Sequence, residues 1–211
     1  MQTPYTEQFY DSTSRERMDS ARVVVPIIMH LYGPESMVDV GCAYGEWLYL
    51  ARTLKPGMKC LAIDGSYIKH REMLEGIFLE ADLDKGIPNL PRKYDVGLCL
   101  EVAEHLKPMG GRELVKWLCN HTKTIVWSAA IPLQGGVNHI NEQWPEYWRR
   151  EFSKYDFHPS LEIREQIWNN PFIQSYYRQN IITYTRKPTK QSLLDVVHPE
   201  LWEYKIKALQ G

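Results

Sequence analysis

Met37-Val38-Asp39-Val40-Gly41-Cys42-Ala43-Tyr44-Gly45 is the stretch that decides how this chain folds. A short apolar strand runs into a turn of small residues. Glu46 to Leu54 follows as an amphipathic helix, stopped by Pro56-Gly57. Outward from this unit the same rhythm repeats. Strand patterns occupy residues 59–63, 76–79, 94–100 and 124–128, with the run at 94–100 apolar enough to be buried on both faces. Strands alternating with helical patterns predict an α/β fold, with a parallel sheet and helices on both faces. Right-handed crossovers then bring the carboxyl ends of these strands to one edge, where open sheets bind ligands.

The chain has 211 residues, so one domain is expected over 1–211. It carries a helical cap at about 1–33 and an aromatic-rich region at about 132–180. Arg17 to His30 reads as a helix interrupted or started at Pro26. Between Asn141 and Arg186 lie 11 of the 25 aromatic residues. Two more strands are expected there, a short one near Tyr155-Asp156-Phe157 and a clear one at residues 181–185. The tail from Gln191 ends in a helical pattern around Leu201-Trp202.

Lys plus Arg is 25 and Asp plus Glu is 26, for a net charge of −1. That balance makes a long nucleic acid an unlikely partner and argues against an anionic membrane surface. The basic groups (Arg149 and Arg150; Arg186, Lys187 and Lys190) form no continuous run. Cys42, Cys60, Cys99 and Cys119 contain no CxxC pair, which removes zinc-ribbon and thioredoxin-type sites. Three of the four are read as lying in strand-like apolar stretches, as small hydrophobes. Met1-Gln2-Thr3-Pro4-Tyr5 shows no secretory pattern, and no apolar stretch is long enough to span a bilayer. The expectation is a soluble protein of the reducing cytoplasm.

The turn after the first strand is not a dinucleotide fingerprint. Counted from Gly41, GxGxxG needs glycines where Ala43 and Glu46 stand. Asp39 places an acid where a pyrophosphate would sit, which suits a ligand carrying an ammonium group instead. Asp64, 19 residues beyond Gly45, ends the second strand, where a carboxylate can accept both ribose hydroxyls. Asp82, after the third strand, can accept from an exocyclic amine of adenine.

From Met37 to Ala130 the chain resembles the class I S-adenosylmethionine-dependent methyltransferases. The likeness rests on the Asp-x-Gly-x-Ala-x-Gly loop, the acid ending the second strand, Ala81-Asp82-Leu83 and the strand leading to Glu101. The resemblance implies a Rossmann-like, seven-stranded, mostly parallel sheet whose last strand is antiparallel. It implies a S-adenosyl-L-methionine site at Asp39, Gly41, Asp64, Asp82 and Leu83. Cys42, Ala43, Gly45, Gly65 and Glu101 belong to the same loop and strand ends. Ala43 stands where the family usually has its middle glycine.

A second constellation follows the fourth strand as Glu101-Val102-Ala103-Glu104-His105. If the segment turns helically, Glu101, Glu104 and His105 share one face. After the fifth strand comes Gly135-Gly136-Val137-Asn138-His139-Ile140-Asn141-Glu142. A parallel sheet makes these two strand ends neighbours. Carboxylate and imidazole donors suit a divalent metal such as Mg, Mn or Fe. The Glu-x-x-Glu-His run with a later histidine is locally similar to the metal-dependent small-RNA 2′-O-methyltransferases, which implies Glu101, Glu104, His105 and His139 as metal ligands. The rival reading is structural, with Glu104 capping or pairing and His105 packing. His139 is also the candidate catalytic base, since an imidazole can take a hydroxyl proton near neutrality.

Trp144, Tyr147, Trp148 and Phe152 have helix-face spacing and read as core. Tyr176, Tyr177, Arg178 and Asn180 can offer an acceptor a stacking surface and polar contacts. The sequence therefore points to a methyltransferase acting on a small hydroxylated acceptor, such as a sugar or nucleoside. Methylation of nitrogen or RNA, and a cofactor-binding module without catalysis, remain as alternatives.

Overall fold

The computed structural model describes residues 7–68, 72–90, 92–189 and 195–210. Met1 to Tyr5, Lys190 and Gln191, used above, lie outside the described residues. The strands are β1 (Ser36–Val40), β2 (Lys59–Asp64), β3 (Phe78–Glu80), β4 (Tyr94–Leu100), β5 (Thr122–Ser128), β6 (His158–Ser160) and β7 (Ile182–Thr185). They form one seven-stranded sheet in the order β3-β2-β1-β4-β5-β7-β6. The pairs among β1 to β5 are parallel. β7 runs antiparallel to both its neighbours. The sheet is Rossmann-like and mostly parallel, with its last strand reversed as expected.

The two-residue period of the strands divides the core between two faces. Met37, Val96, Leu98 and Val126 pack with Val24, Ile28, Trp47 and Leu48. These last belong to α1 (Glu7–Tyr32) and α2 (Glu46–Leu54). Val38, Val40, Cys99 and Ile125 face the other way, onto Leu114, Leu118, Trp148 and Phe152. Those residues lie in α3 (Pro108–His121) and α4 (Pro145–Ser153). The same period puts Asp39 on the Met37 face, toward α1 and α2. The remaining helices are α5 (Glu162–Ile167), α6 (Ser175–Asn180) and α7 (Pro199–Gln210). Among the described residues no helix is long and apolar enough to cross a membrane.

Several local expectations are corrected. α1 is one continuous helix through Pro26. Pro26 faces solvent, so the carbonyl it deprives of a partner can be hydrated. Ala21, Val24, Val25 and Ile28 are fully buried along the opposite side, and that burial outweighs the roughly 3 kcal/mol proline penalty. The short strand is β6 rather than 155–157, because α4 ends there in a turn with Asp156 at φ 61°. β6 is an edge strand, where Pro159 costs no ladder bond. Trp148 and Phe152 are buried, but Trp144 precedes α4 and is exposed. Cys60 and Cys99 are on strands, whereas Cys42 is in the loop after β1 and Cys119 is in α3. All four are free thiols.

Gly97 shows how tightly the central strand is packed. A Cβ there would lie 2.6 Å from Thr122 Cγ2. Gly97→Ala is expected to cost about 1–3 kcal/mol through overpacking. Urea denaturation should show a lower midpoint with unchanged slope; an unchanged midpoint would mean that β5 moves aside freely.

Candidate active site

A cavity of about 630 Å³ opens at the carboxyl ends of the parallel strands, within the range of small-molecule sites. Its wall includes Gly41, Ala43, Asp64 and Gly65 from the first two strand ends, then Asp82 and Leu83. Glu101 and His105 follow β4, and the segment from Gln134 to His139 follows β5. The structure thus brings most of the expected residues into one chamber. Asp39, Cys42, Gly45 and Glu104 are not on its wall.

Asp64 ties together the loops after β1 and β2. Its Oδ2 accepts from Ala43 N at 2.8 Å and its Oδ1 from Gly65 N at 2.7 Å. Burial raises its pKa, opposed by the bonds from Tyr67 and these two amides. With three of about four lone-pair sites taken, the carboxylate keeps one for a ligand hydroxyl. Asp39 lies behind the Gly41–Ala43 wall, only 2% exposed. Burial drives its pKa well above the ordinary value, helped by Asp64 and Glu46. Asp82 sits at the mouth, paired with Lys85 Nζ at 2.8 Å. That bond lowers its pKa.

Gly41 has φ 78°, and a Cβ there would fall 2.3 Å from Val102 Cγ2. The protein's own segment after β4 therefore demands glycine, before any ligand is considered. That same segment holds Glu101 at φ 55°, a backbone state that costs a non-glycine residue energy. Its amide reaches Ser128 O at 3.0 Å and Ser128 Oγ at 3.1 Å. The carboxylate accepts from Asn180 Nδ2 at 3.0 Å and Gln134 Nε2 at 3.1 Å.

Glu104 is fully buried in the 3₁₀ turn Ala103–His105. Neither of its carboxyl oxygens has a hydrogen-bond partner. Burial raises its pKa well above normal, and the neighbouring Glu101 charge adds to this. Ligand atoms of Glu104, His105 and His139 all lie within 4.8 Å of one another. Glu101 is outside that group, its oxygens engaged by the two amides. The imidazoles of His105 and His139 meet edge to face, 4.8 Å between centroids. Burial, and then the His139 charge, lowers the His105 pKa to about 4, so His105 is neutral near pH 7.

Some contributors were not singled out from sequence. Thr13, Glu16 and Arg17 of α1 line the cavity. Arg17 donates from Nε and a terminal nitrogen to Glu46 Oε1, at 3.1 and 2.9 Å. Gln134 was also missed. It lies next to the quoted Gly135-Gly136 pair, which was the available signal. Of the proposed acceptor surface, Tyr176 and Tyr177 line the cavity. Arg178 turns away to Glu200 of α7, and Asn180 points inward to Glu101.

No family model matches this sequence, and no curated protein matches it. Solved structures do match. The sugar N-methyltransferase KedS8 from Streptoalloteichus superposes with a TM-score of 0.66 at 14% identity, covering 89% of this chain and 96% of that one. CalS10, an amino pentose methyltransferase from Micromonospora echinaspora solved with S-adenosylmethionine bound, gives 0.62 at 14% identity, with 89% and 100% covered. A candidate O-methyltransferase from Nostoc punctiforme gives 0.60 at 14% identity. There the match covers 84% of this chain but only 58% of the Nostoc chain. At these identities the likeness establishes the fold.

Proposed function

We propose that this chain, as one domain, methylates an oxygen of a small hydroxylated acceptor, a sugar or nucleoside, using S-adenosylmethionine. The observation that carries the reading is one chamber joining Asp64 and the Gly41–Ala43 wall to the His139 loop. Neighbours described as methyltransferases, one of them holding S-adenosylmethionine, support the same choice. The donor supplies an electrophilic methyl group.

The protein's part is to bind, align and deprotonate. Asp64 would accept from a ribose hydroxyl, and Asp82 would accept from the adenine amine beside Leu83. Glu101, fixed between Asn180 and Gln134, stands where the two halves of the chamber meet. Tyr176 offers the acceptor a flat apolar face. His139 would take the hydroxyl proton, and the walls of the chamber would hold the acceptor oxygen in line with the methyl.

Two of the neighbours are described as sugar N- or amino pentose methyltransferases, so nitrogen is the second candidate acceptor atom. A neutral amine needs no base to attack. The oriented imidazole therefore favours oxygen.

The residues also fit a divalent cation. Glu104 offers two buried oxygens without a partner, beside two imidazoles. Such an arrangement is costly unless a proton or cation sits there. Glu104, His105 and His139 would hold it, and His139 would then act as a ligand through Nε2 in place of the base. The mixed donor set suits Mg, Mn or Fe, and the cation would supply Lewis acidity toward the acceptor.

Asp64→Ala tests the donor site. Removing the carboxylate should weaken S-adenosylhomocysteine binding by roughly 1.5–3 kcal/mol, about one to two decades in Kd. Calorimetry on the folded variant measures this, and unchanged affinity would overturn the placement. Binding followed by methyl transfer in an acceptor screen separates an enzyme from a mere cofactor-binding module.

A further inference from the structure

Between β5 and α4 the chain closes a tight loop around one carboxylate, Glu142. Its Oε2 accepts from Leu133 N at 2.7 Å and its Oε1 from Gly135 N at 2.7 Å. The same Oε1 lies 3.0 Å from His139 Nδ1. We propose that Glu142 is the positioning residue of His139, holding the ring as its Nδ1–H tautomer and leaving the Nε2 lone pair for the acceptor. The inference rests on His139 being the group that meets the acceptor.

A carboxylate is an acceptor only, so the proton of a hydrogen bond to it must come from Nδ1. The neutral ring then has its lone pair on Nε2. The same logic orients imidazoles that serve as bases or as metal ligands, so the assignment holds for either role of His139.

The loop's backbone is arranged around this carboxylate. Leu133 has φ 69°, which is costly for a leucine, and Asn138 has φ 59°, which asparagine adopts more readily. Leu133 is 82% exposed, so packing of its side chain does not explain its conformation. Its amide, turned onto Glu142, does. The flanks are tied elsewhere. Gln143 N donates to Ala130 O at 3.1 Å, and Ile140 N and Asn141 N donate to Glu104 O at 2.9 and 3.0 Å. Glu142 is thus held in place by the loop it closes. Gly136 completes the arrangement. A Cβ there would fall 2.4 Å from Nε2, 2.5 Å from Cε1 and 3.0 Å from Cδ2, over the face of the ring, so glycine lets the loop lie against the imidazole.

The test reads the tautomer directly, by ¹⁵N NMR of labelled protein with the His139 signals assigned against His139→Ala. Wild type should show a protonated Nδ1 and a bare Nε2. In Glu142→Gln the amide can donate to Nδ1, which moves the ring proton to Nε2. Turnover should then fall about 10–100-fold, with the Kd for S-adenosylhomocysteine unchanged. An Nε2–H tautomer in wild type overturns the proposal without any variant, even if Glu142→Gln disturbs the loop. So does Glu142→Gln with wild-type tautomer and turnover. Full turnover in His139→Ala would instead remove the reading on which the proposal rests, and the NMR result would show whether Glu142 orients the ring.

Discussion

His139→Ala is expected to lower kcat by about 10²–10⁴ while leaving the donor's Kd unchanged. The imidazole lines the chamber from the loop after β5, whereas Asp64 and Gly41–Ala43 line it from the ends of β2 and β1. Its loss should therefore spare the nucleoside contacts. Glu142 holds one ring nitrogen, so the other is the only one left to take a proton. His105, 4.8 Å away between centroids, cannot easily substitute. Its pKa of about 4 makes it a weak base. Isothermal calorimetry with S-adenosylhomocysteine and steady-state kinetics with the acceptor separate the two effects. A variant with wild-type kcat, or one defective only in donor affinity, would contradict the assignment.

Chelator treatment is expected to abolish turnover, and Mg, Mn or Fe to restore it. The warrant is the fully buried Glu104, whose oxygens lack a well-formed hydrogen bond while ligand atoms of two imidazoles lie within 4.8 Å. With Glu101 beside it, a charged Glu104 would suffer repulsion as well as desolvation. Three protein ligands leave open positions, which two neighbouring hydroxyls would fill better than one. Removing either hydroxyl from the acceptor should then abolish transfer. Full activity in stripped, metal-free protein would end the idea and leave His139 as an unaided base. In that event Glu104 must hold a proton, and Glu104→Gln should keep its fold and activity. Undiminished transfer to an acceptor with one hydroxyl would keep the cation and reject the diol.

Much of this protein is legible along the chain. The period of apolar residues distinguishes β1, β2, β4, β5 and β7 from the helices between them, because burial on two faces imposes it. The strand ends are equally local, so Gly41, Asp64, Glu101 and His139 could be assigned to one edge of a sheet from sequence alone. Packing decided what each of them touches. Gly41 is required by Val102, 61 positions later, and Glu101 is drawn from the expected ligand group by Asn180, 79 positions later. Asp39 falls behind the wall because the pleat turns it toward α1 and α2, an outcome set by which helices cover that face. Arg17 enters the chamber because α1 runs unbroken past Pro26, where burial of its far side outweighs the proline. Periodicity and turn chemistry depend on near neighbours and can be read in order. Hydrogen-bond partners, orphaned oxygens and shared cavities depend on side chains distant in sequence, and only the folded chain brings those together.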